Sequence, residues 1–189
     1  MYKGNIVLLG APGSGKGTLA KQLKEKYGYT LITTGDILRS EKKSGSEIGQ
    51  KINHLIGKGN LVPDDLINQI VEKEIKKVTE PFILDGFPRT IEQGKFLENL
   101  TDDIIVIYLE VTDNTIQERI LERGKTSGRE DDQSVEIIQR RITQFKNETF
   151  PLIDFYKQKK VLAYVDGERE IKEVFDQVEN ILRIWSWVS

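Results

Sequence analysis

The sequence predicts an α/β domain of three layers, a five-stranded parallel sheet covered on both faces by helices. Three observations carry this. Short apolar runs alternate with helix-period segments along the chain, and the runs are apolar throughout, as strands buried on both faces require. The first run passes straight into a glycine loop and then a helix, an order suited to holding an anion at a helix N-terminus. The 189 residues are 38% hydrophobic and 31% charged, a balance that fits one core with a charged surface. No repeat, low-complexity tract or linker divides the chain, so residues 1–189 read as a single domain.

The elements follow in order. Asn5-Ile-Val-Leu-Leu9 suits a buried parallel strand. Leu19, Leu23 and Tyr27 recur at four-residue spacing, and Gly28 stops that helix. Residues 29–33 read as a second strand, and residues 37–43, 47–57 and 63–78 as helices. The last of these carries Leu66, Ile67, Ile70, Val71 and Ile75 on one face, with Pro63 at its start. Residues 81–85 form a third strand, a short helix begins at Thr90, and residues 103–110 form a fourth strand. Thr112 caps a helix carrying Ile116, Ile120 and Leu121. A loop over residues 124–132 leads to a long helix with Val135, Ile138, Ile142 and Phe145, which Pro151 kinks or divides. Residues 161–165 are the fifth strand, and Ile171, Val174, Phe175, Val178 and Leu182 mark the final helix. The tail over 184–189 reads as a frayed end with Trp185 packed on the core.

Gly10-Ala-Pro-Gly-Ser-Gly-Lys-Gly-Thr18 has the spacing of a phosphate-binding loop. Its glycines let backbone N–H groups turn inward around an anion, Lys16 brings a point charge to the β- and γ-phosphates, and a hydroxyl can face Mg²⁺. The following helix adds the partial positive charge of its N-terminus. Gly17 stands where Ser or Thr commonly follows the lysine, with Thr18 next.

Composition removes several alternatives. With no cysteine there is no disulfide framework, thiol nucleophile or zinc cluster of the usual cysteine type. A net charge of −2 gives no bulk attraction to nucleic acid or an anionic membrane. Met-Tyr-Lys-Gly-Asn runs straight into the first strand without a signal-like apolar region, and no apolar run is long enough to span a bilayer. These features point to the cytoplasm.

Ligands of parallel sheets bind beyond the carboxyl ends of the strands. Those ends carry the glycine loop, then Thr33-Thr34-Gly35-Asp36 with Arg39, then Asp85-Gly-Phe-Pro-Arg89, and last Asp166-Gly167. Arg119 and Arg123 sit four residues apart, on one face of the helix after the fourth strand. The 28 basic residues divide into nineteen lysines and nine arginines, so each arginine position is informative. Arginine is the side chain that forks onto phosphate.

The glycine loop, Thr34-Gly-Asp-Ile-Leu-Arg39, Asp85-Gly-Phe-Pro-Arg-Thr90, Thr126-Ser-Gly-Arg-Glu-Asp-Asp132 and Asp166-Gly167 together resemble the nucleoside monophosphate kinases, and within them the adenylate kinases. The resemblance spans nearly the whole chain, and the Gly-Lys-Gly-Thr form of the loop is the one this family uses. It implies a P-loop NTPase-type fold with a core over 1–32, 63–123 and 132–189. It also implies a helical NMP-binding flap over 33–62 and a short lid over 124–131. The implied reaction is reversible transfer from Mg-ATP to AMP giving two ADP, which maintains adenine nucleotide balance. The implied state is a monomer.

The same resemblance implies the roles of the residues. Gly13, Ser14, Gly15, Lys16, Gly17 and Thr18 would hold the ATP phosphates. Asp85, with Asp36, would orient Mg²⁺ through water. Thr34, Arg39, the backbone of Asn60, Leu61 and Val62, then Gly86, Phe87, Pro88, Arg89 and Gln93 would hold AMP, with Arg39 and Arg89 on its phosphate and Gln93 on the purine. Arg119 would lie flat on adenine, with Arg123 near ATP and Arg169 beside the base. Arg129 and Arg140 would clamp the phosphates on closure. The only histidine, His54, reads as a surface residue.

Relatives acting on UMP or CMP typically carry Ala in place of Thr34 and Asn around Gln93, so Thr34 and Gln93 favour AMP. A GTP-binding switch would need an Asn/Thr-Lys-x-Asp guanine motif, and no lysine here follows Asn or Thr. A nucleotide-binding module without catalysis would not need so many arginines at the phosphate positions.

Overall fold

The computed structural model describes residues 2–45, 49–50, 62–127, 132 and 134–187. The described elements are β1 (Asn5–Leu9), α1 (Lys16–Tyr27), β2 (Thr30–Thr33), α2 (Thr34–Ser44), α3 (Asp64–Ile75), β3 (Phe82–Asp85), α4 (Ile91–Glu98), β4 (Ile104–Glu110), α5 (Asp113–Ser127) and α6 (Val135–Gln144). A π-helical turn (Phe145–Thr149), α7 (Pro151–Gln158), β5 (Leu162–Asp166) and α8 (Ile171–Trp185) complete the order.

The strands form one sheet in the order β2-β3-β1-β4-β5, parallel at every pairing. β1 lies at the centre, with Val7 in register with Leu84 on one side and Val106 on the other. Because successive strand residues face opposite ways, β1 feeds two cores. Val7 and Leu9 pack with Leu84 and Val106 under α3, α4 and α7, through Ile67, Val71, Leu97, Leu152 and Tyr156. Ile6 and Leu8 pack with Ile83 and Ile107 against α1 and α8, through Leu19, Leu23, Val174, Val178 and Leu182. A one-residue slip of β1 would exchange the two sets, and each buried aliphatic side chain is worth about 1.5–3 kcal/mol, so the register is firmly held. A third cluster, Ala11 with Ile116, Ile120, Ile138 and Ile142, packs α5 and α6 together beside the glycine loop.

Several boundaries differ from the sequence reading. Pro81 precedes β3 rather than opening it, since proline has no N–H for the ladder, yet its carbonyl still accepts from Thr30 N at 2.9 Å. α2 begins at Thr34, directly after β2. α5 continues through Gly124 to Ser127, so the expected loop cannot begin at Gly124. Residues 128–131, the rest of the expected lid, lie outside the described residues. So do the 51–61 stretch of the expected flap and His54.

The long C-terminal helix is divided, but not by Pro151 alone. A π turn carrying the Phe150 N–H to Phe145 O bond at 2.8 Å comes first, and Pro151 then opens α7 at a position where its missing N–H costs nothing. Val135 and Ile171, expected on buried faces, are first-turn residues left exposed. Trp185 is the last residue of α8 and half-buried against the α1–α8 core, while Trp187 is 86% exposed.

Candidate active site

A cavity of about 640 Å³ opens at the carboxyl ends of the strands. Its floor is the glycine loop between β1 and α1. Lys16 is the first residue of α1, capped by Gly15 in the left-handed conformation (φ 100°). The first N–H groups of α1 have no carbonyl within the helix to reach, so they face the cavity as donors. Gly13, at φ +80°, is pressed against α5: a Cβ there would stand 2.8 Å from Ile120 Cγ1 and 3.1 Å from the Ile116 carbonyl oxygen. No L side chain fits, which explains the glycine better than flexibility does.

The Lys16 ammonium folds back along its own loop, donating to Gly10 O at 2.7 Å, Ala11 O at 2.8 Å and Ser14 Oγ at 3.2 Å. Burial first, and then the charges of Arg89, Arg141 and Arg123, draw its pKa down to about 8 against the opposing pull of Asp85. One carboxylate and three guanidinium groups are therefore close enough to act on this ammonium. Asp85 ends β3, and its Oδ2 lies 3.6 Å from where a Gly17 Cβ would stand.

Six of the eight described arginines line the cavity: Arg39, Arg89, Arg119, Arg123, Arg141 and Arg169. Arg89 is held on its loop by its own Nε, which donates to Gly86 O at 2.8 Å. Gly86 has φ +89°, and a Cβ there would meet Thr34 Oγ1 at 2.6 Å, so this loop also needs glycine. Arg119 Nη1 donates to Gly167 O at 2.9 Å, which ties the end of β5 to α5. Arg123 grips Asp132 in a fork, Nε to Oδ2 at 2.6 Å and Nη2 to Oδ1 at 2.7 Å, and Arg141 Nη1 adds a third bond to Oδ1 at 2.8 Å.

Asp132 has a fully buried side chain. Burial alone would raise its pKa; the bonds and charges of Arg123, then of Arg141, outweigh this and hold the carboxyl below its usual value. A depressed folded-state pKa adds stability that is complete above the unfolded value and is lost as pH falls through the folded one. Asp132→Asn should therefore cost about 3 kcal/mol near neutral pH, with the gap to the parent shrinking in acid. Thermal melts across the acid range test this. A gap that stays constant would exclude the ion-pair account.

The structure brings together most, but not all, of the sequence-predicted set. Gly13, Ser14, Gly15, Lys16, Gly17, Thr18, Gly86, Pro88, Asp85 and Asp36 reach the cavity wall. Arg140 is corrected: it is exposed and does not line the cavity, and Arg141 is the α6 arginine that does. The helical phase of Ile138 and Ile142 carried that signal, because Arg141 follows Ile138 by three residues and Arg140 by two. The exposed Asp36 carboxylate is bonded to Arg39 Nη2 at 2.5 Å, while Asp85 lies beside the loop.

Phe87 and Val62 bury their side chains in the core, and Thr34 is buried with its hydroxyl donating to Asp85 O at 3.3 Å. Gln93 is only 2% exposed, and its amide is engaged by Arg89 N and Asp64 rather than turned into the cavity, so the expected purine contact is not formed in this arrangement. Asn60, Leu61 and Arg129 lie outside the described residues. Sequence reasoning missed Asp132, Arg141, Asp64 and Thr149 as parts of the site.

Asp85 beside the phosphate loop, with Asp36 also on the cavity wall, fits Mg²⁺, which binds through one or two carboxylates plus substrate phosphates and retains several waters. Among the described residues, no helix is long and apolar enough to cross a membrane.

Comparison with known proteins agrees with this geometry. The family model described as adenylate kinase matches residues 8–161. The chain is 44% identical over 192 residues to an adenylate kinase of Porphyromonas gingivalis, covering 98% of each chain. It is 40% identical over 185 residues to an adenylate kinase of Flavobacterium psychrophilum, covering 94% of this chain and 97% of that one. It is also 38% identical over 177 residues to human adenylate kinase isoenzyme 1, with 92% and 91% covered. With that family model over more than half of its length and relatives of this identity over nearly all of it, the chain belongs to the adenylate kinase family.

Proposed function

We propose that this chain transfers the γ-phosphoryl group of Mg-ATP to AMP, giving two ADP, and catalyses the reverse. What supports this reading is one cavity lined both by the glycine loop with Lys16 and by Arg39 and Arg89. Phosphoryl transfer asks for attacking and leaving oxygens in line and for cationic groups that neutralise the phosphate charge, with little covalent help.

The loop residues 13–18 hold the donor phosphates, and Lys16 moves from its own carbonyls to the transferred group. Arg119, braced by Gly167 O, offers a flat face to adenine, with Arg169 beside it. Thr34, Arg39, residues 60–62, the 86–89 loop and Gln93 form the acceptor side. Arg123, Arg129 and Arg141 neutralise the group in flight. Asp85 would hold Mg²⁺ through water, and the chemistry such an ion supplies is screening of the donor phosphate charge. Closure of a flap over 33–62 and a lid over 124–131 excludes water, which would otherwise compete as acceptor. The chain works as a monomer in the cytoplasm, a state that light scattering of the purified protein tests.

The test of the reaction is ADP formation from Mg-ATP with AMP, UMP, CMP or GMP supplied singly. A rate with AMP at least about a hundredfold above the others is the expected result. A pyrimidine preference would overturn the acceptor, and no ADP with any of them would overturn the transfer itself.

A further inference from the structure

The loop that carries Arg89 is held by Gln93 and, from distant elements, by Asp64 and Thr149, the last two of which have no task in the site described above. The Arg89 N–H donates to Gln93 Oε1 at 2.7 Å, and the Arg89 carbonyl accepts from Thr149 Oγ1 at 2.8 Å. Gln93 Nε2 in turn donates to Asp64 Oδ1 at 2.6 Å. The second Asp64 oxygen accepts from Thr90 Oγ1 at 3.1 Å, and Thr90 accepts from Gln93 N at 3.2 Å as the cap of α4.

This chain of bonds has only one polarity. A backbone N–H only donates, so Arg89 requires the oxygen of the Gln93 amide. A carboxylate only accepts, so Asp64 requires the nitrogen. Gln93 is therefore fixed end to end, in a place almost sealed from water, where an unmatched donor or acceptor is costly. Asp64 is the first residue of α3, so the exit of the 33–62 segment is bonded through Gln93 to the main chain of Arg89.

We propose that Asp64 is a positioning residue for the acceptor: by orienting Gln93 it fixes the Arg89 main chain, and so it sets AMP binding without touching AMP or the ATP side. The inference rests on the acceptor role given to Arg89 above.

The test is a reciprocal exchange. Gln93→Glu puts two carboxylates face to face and breaks the Asp64 link. Adding Asp64→Asn restores every bond, because the new amide accepts from Thr90 and donates to residue 93, and the charge of the site is conserved. KM for AMP should rise on the order of tenfold or more in Gln93→Glu and return to within about threefold of the parent in the double variant. KM for ATP should stay within about twofold in both. Asp64→Ala, which leaves Gln93 in place, should raise the AMP KM about fivefold, and calorimetric AMP binding should follow without turnover.

A double variant no better than Gln93→Glu would mean that Gln93 acts on the acceptor itself, and the proposal falls. It falls equally if the two KM values rise together, as general loosening would cause, or if Asp64→Ala leaves the AMP KM unchanged. A parent protein inactive with AMP would instead overturn the reaction assigned above, before any variant is made.

Discussion

Lys16→Met lowers turnover at saturating Mg-ATP and AMP by about 10²–10³-fold, the scale of losing one preorganised charge at the reacting group. Methionine keeps the length of the side chain and its packing, so the loop should still fold. What is lost is the ammonium that Gly10 O, Ala11 O and Ser14 Oγ hold ready in the cavity.

A pH signature accompanies the loss. With its pKa drawn down to about 8, chiefly by burial, Lys16 of the free protein sheds its proton above that pH. ATP phosphates bind the charged form, so nucleotide binding above pH about 8 takes up a proton, and ATP affinity should fall as pH rises further. Calorimetric titrations in two buffers of different ionisation heat measure the proton directly. The uptake should vanish in Lys16→Met. A variant within about threefold of the parent in turnover, or one keeping the same proton uptake, would overturn the role given to this lysine.

Arg141→Ala should cost about 10³-fold in turnover, while its neighbour Arg140→Ala should change it by less than about twofold. Arg141 lines the cavity, is braced on Asp132 and acts on Lys16, whereas Arg140 is exposed and does not line the cavity. Both variants remove one positive charge from α6, so net charge and helix propensity cannot account for a difference between them. ADP formation at saturating nucleotide, with a melt for each variant, is the measurement. Equal losses, or the larger loss at Arg140, would show that α6 presents the other arginine to the phosphates.

That neighbouring pair marks where the sequence was readable and where it was not. The glycine loop, the strands and the arginines at 39, 89, 119 and 123 were all legible. Each depends on local chemistry: an apolar run, a glycine spacing, a residue just past a strand end. The resemblance implies Arg140, whereas the apolar face of Ile138 and Ile142 favours its neighbour Arg141 on the inner side of the helix. The loop expected over residues 124–132 starts too early, since Gly124 lies within α5. Gln93 was expected to face a purine, and instead its amide bridges Asp64 and Arg89. That partnership joins positions 29 residues apart, which no local pattern encodes. Asp132 likewise read as one acid in a charged loop, and only its position among Arg123 and Arg141 makes it a buried anchor.

The π turn has a consequence for how this protein can change length over time. In an unbroken α-helix, Arg141 and Thr149, eight residues apart, would point about 80° away from each other. The wider turn at 145–149 takes up one residue and brings both toward the cavity side, one onto Asp132 and the other onto the Arg89 carbonyl. A lineage that lost one residue here could close the segment as plain helix, seven residues apart, and keep both contacts. A lineage that gained one would have to widen a second turn or surrender a contact. The site thus tolerates shortening at this point far better than lengthening.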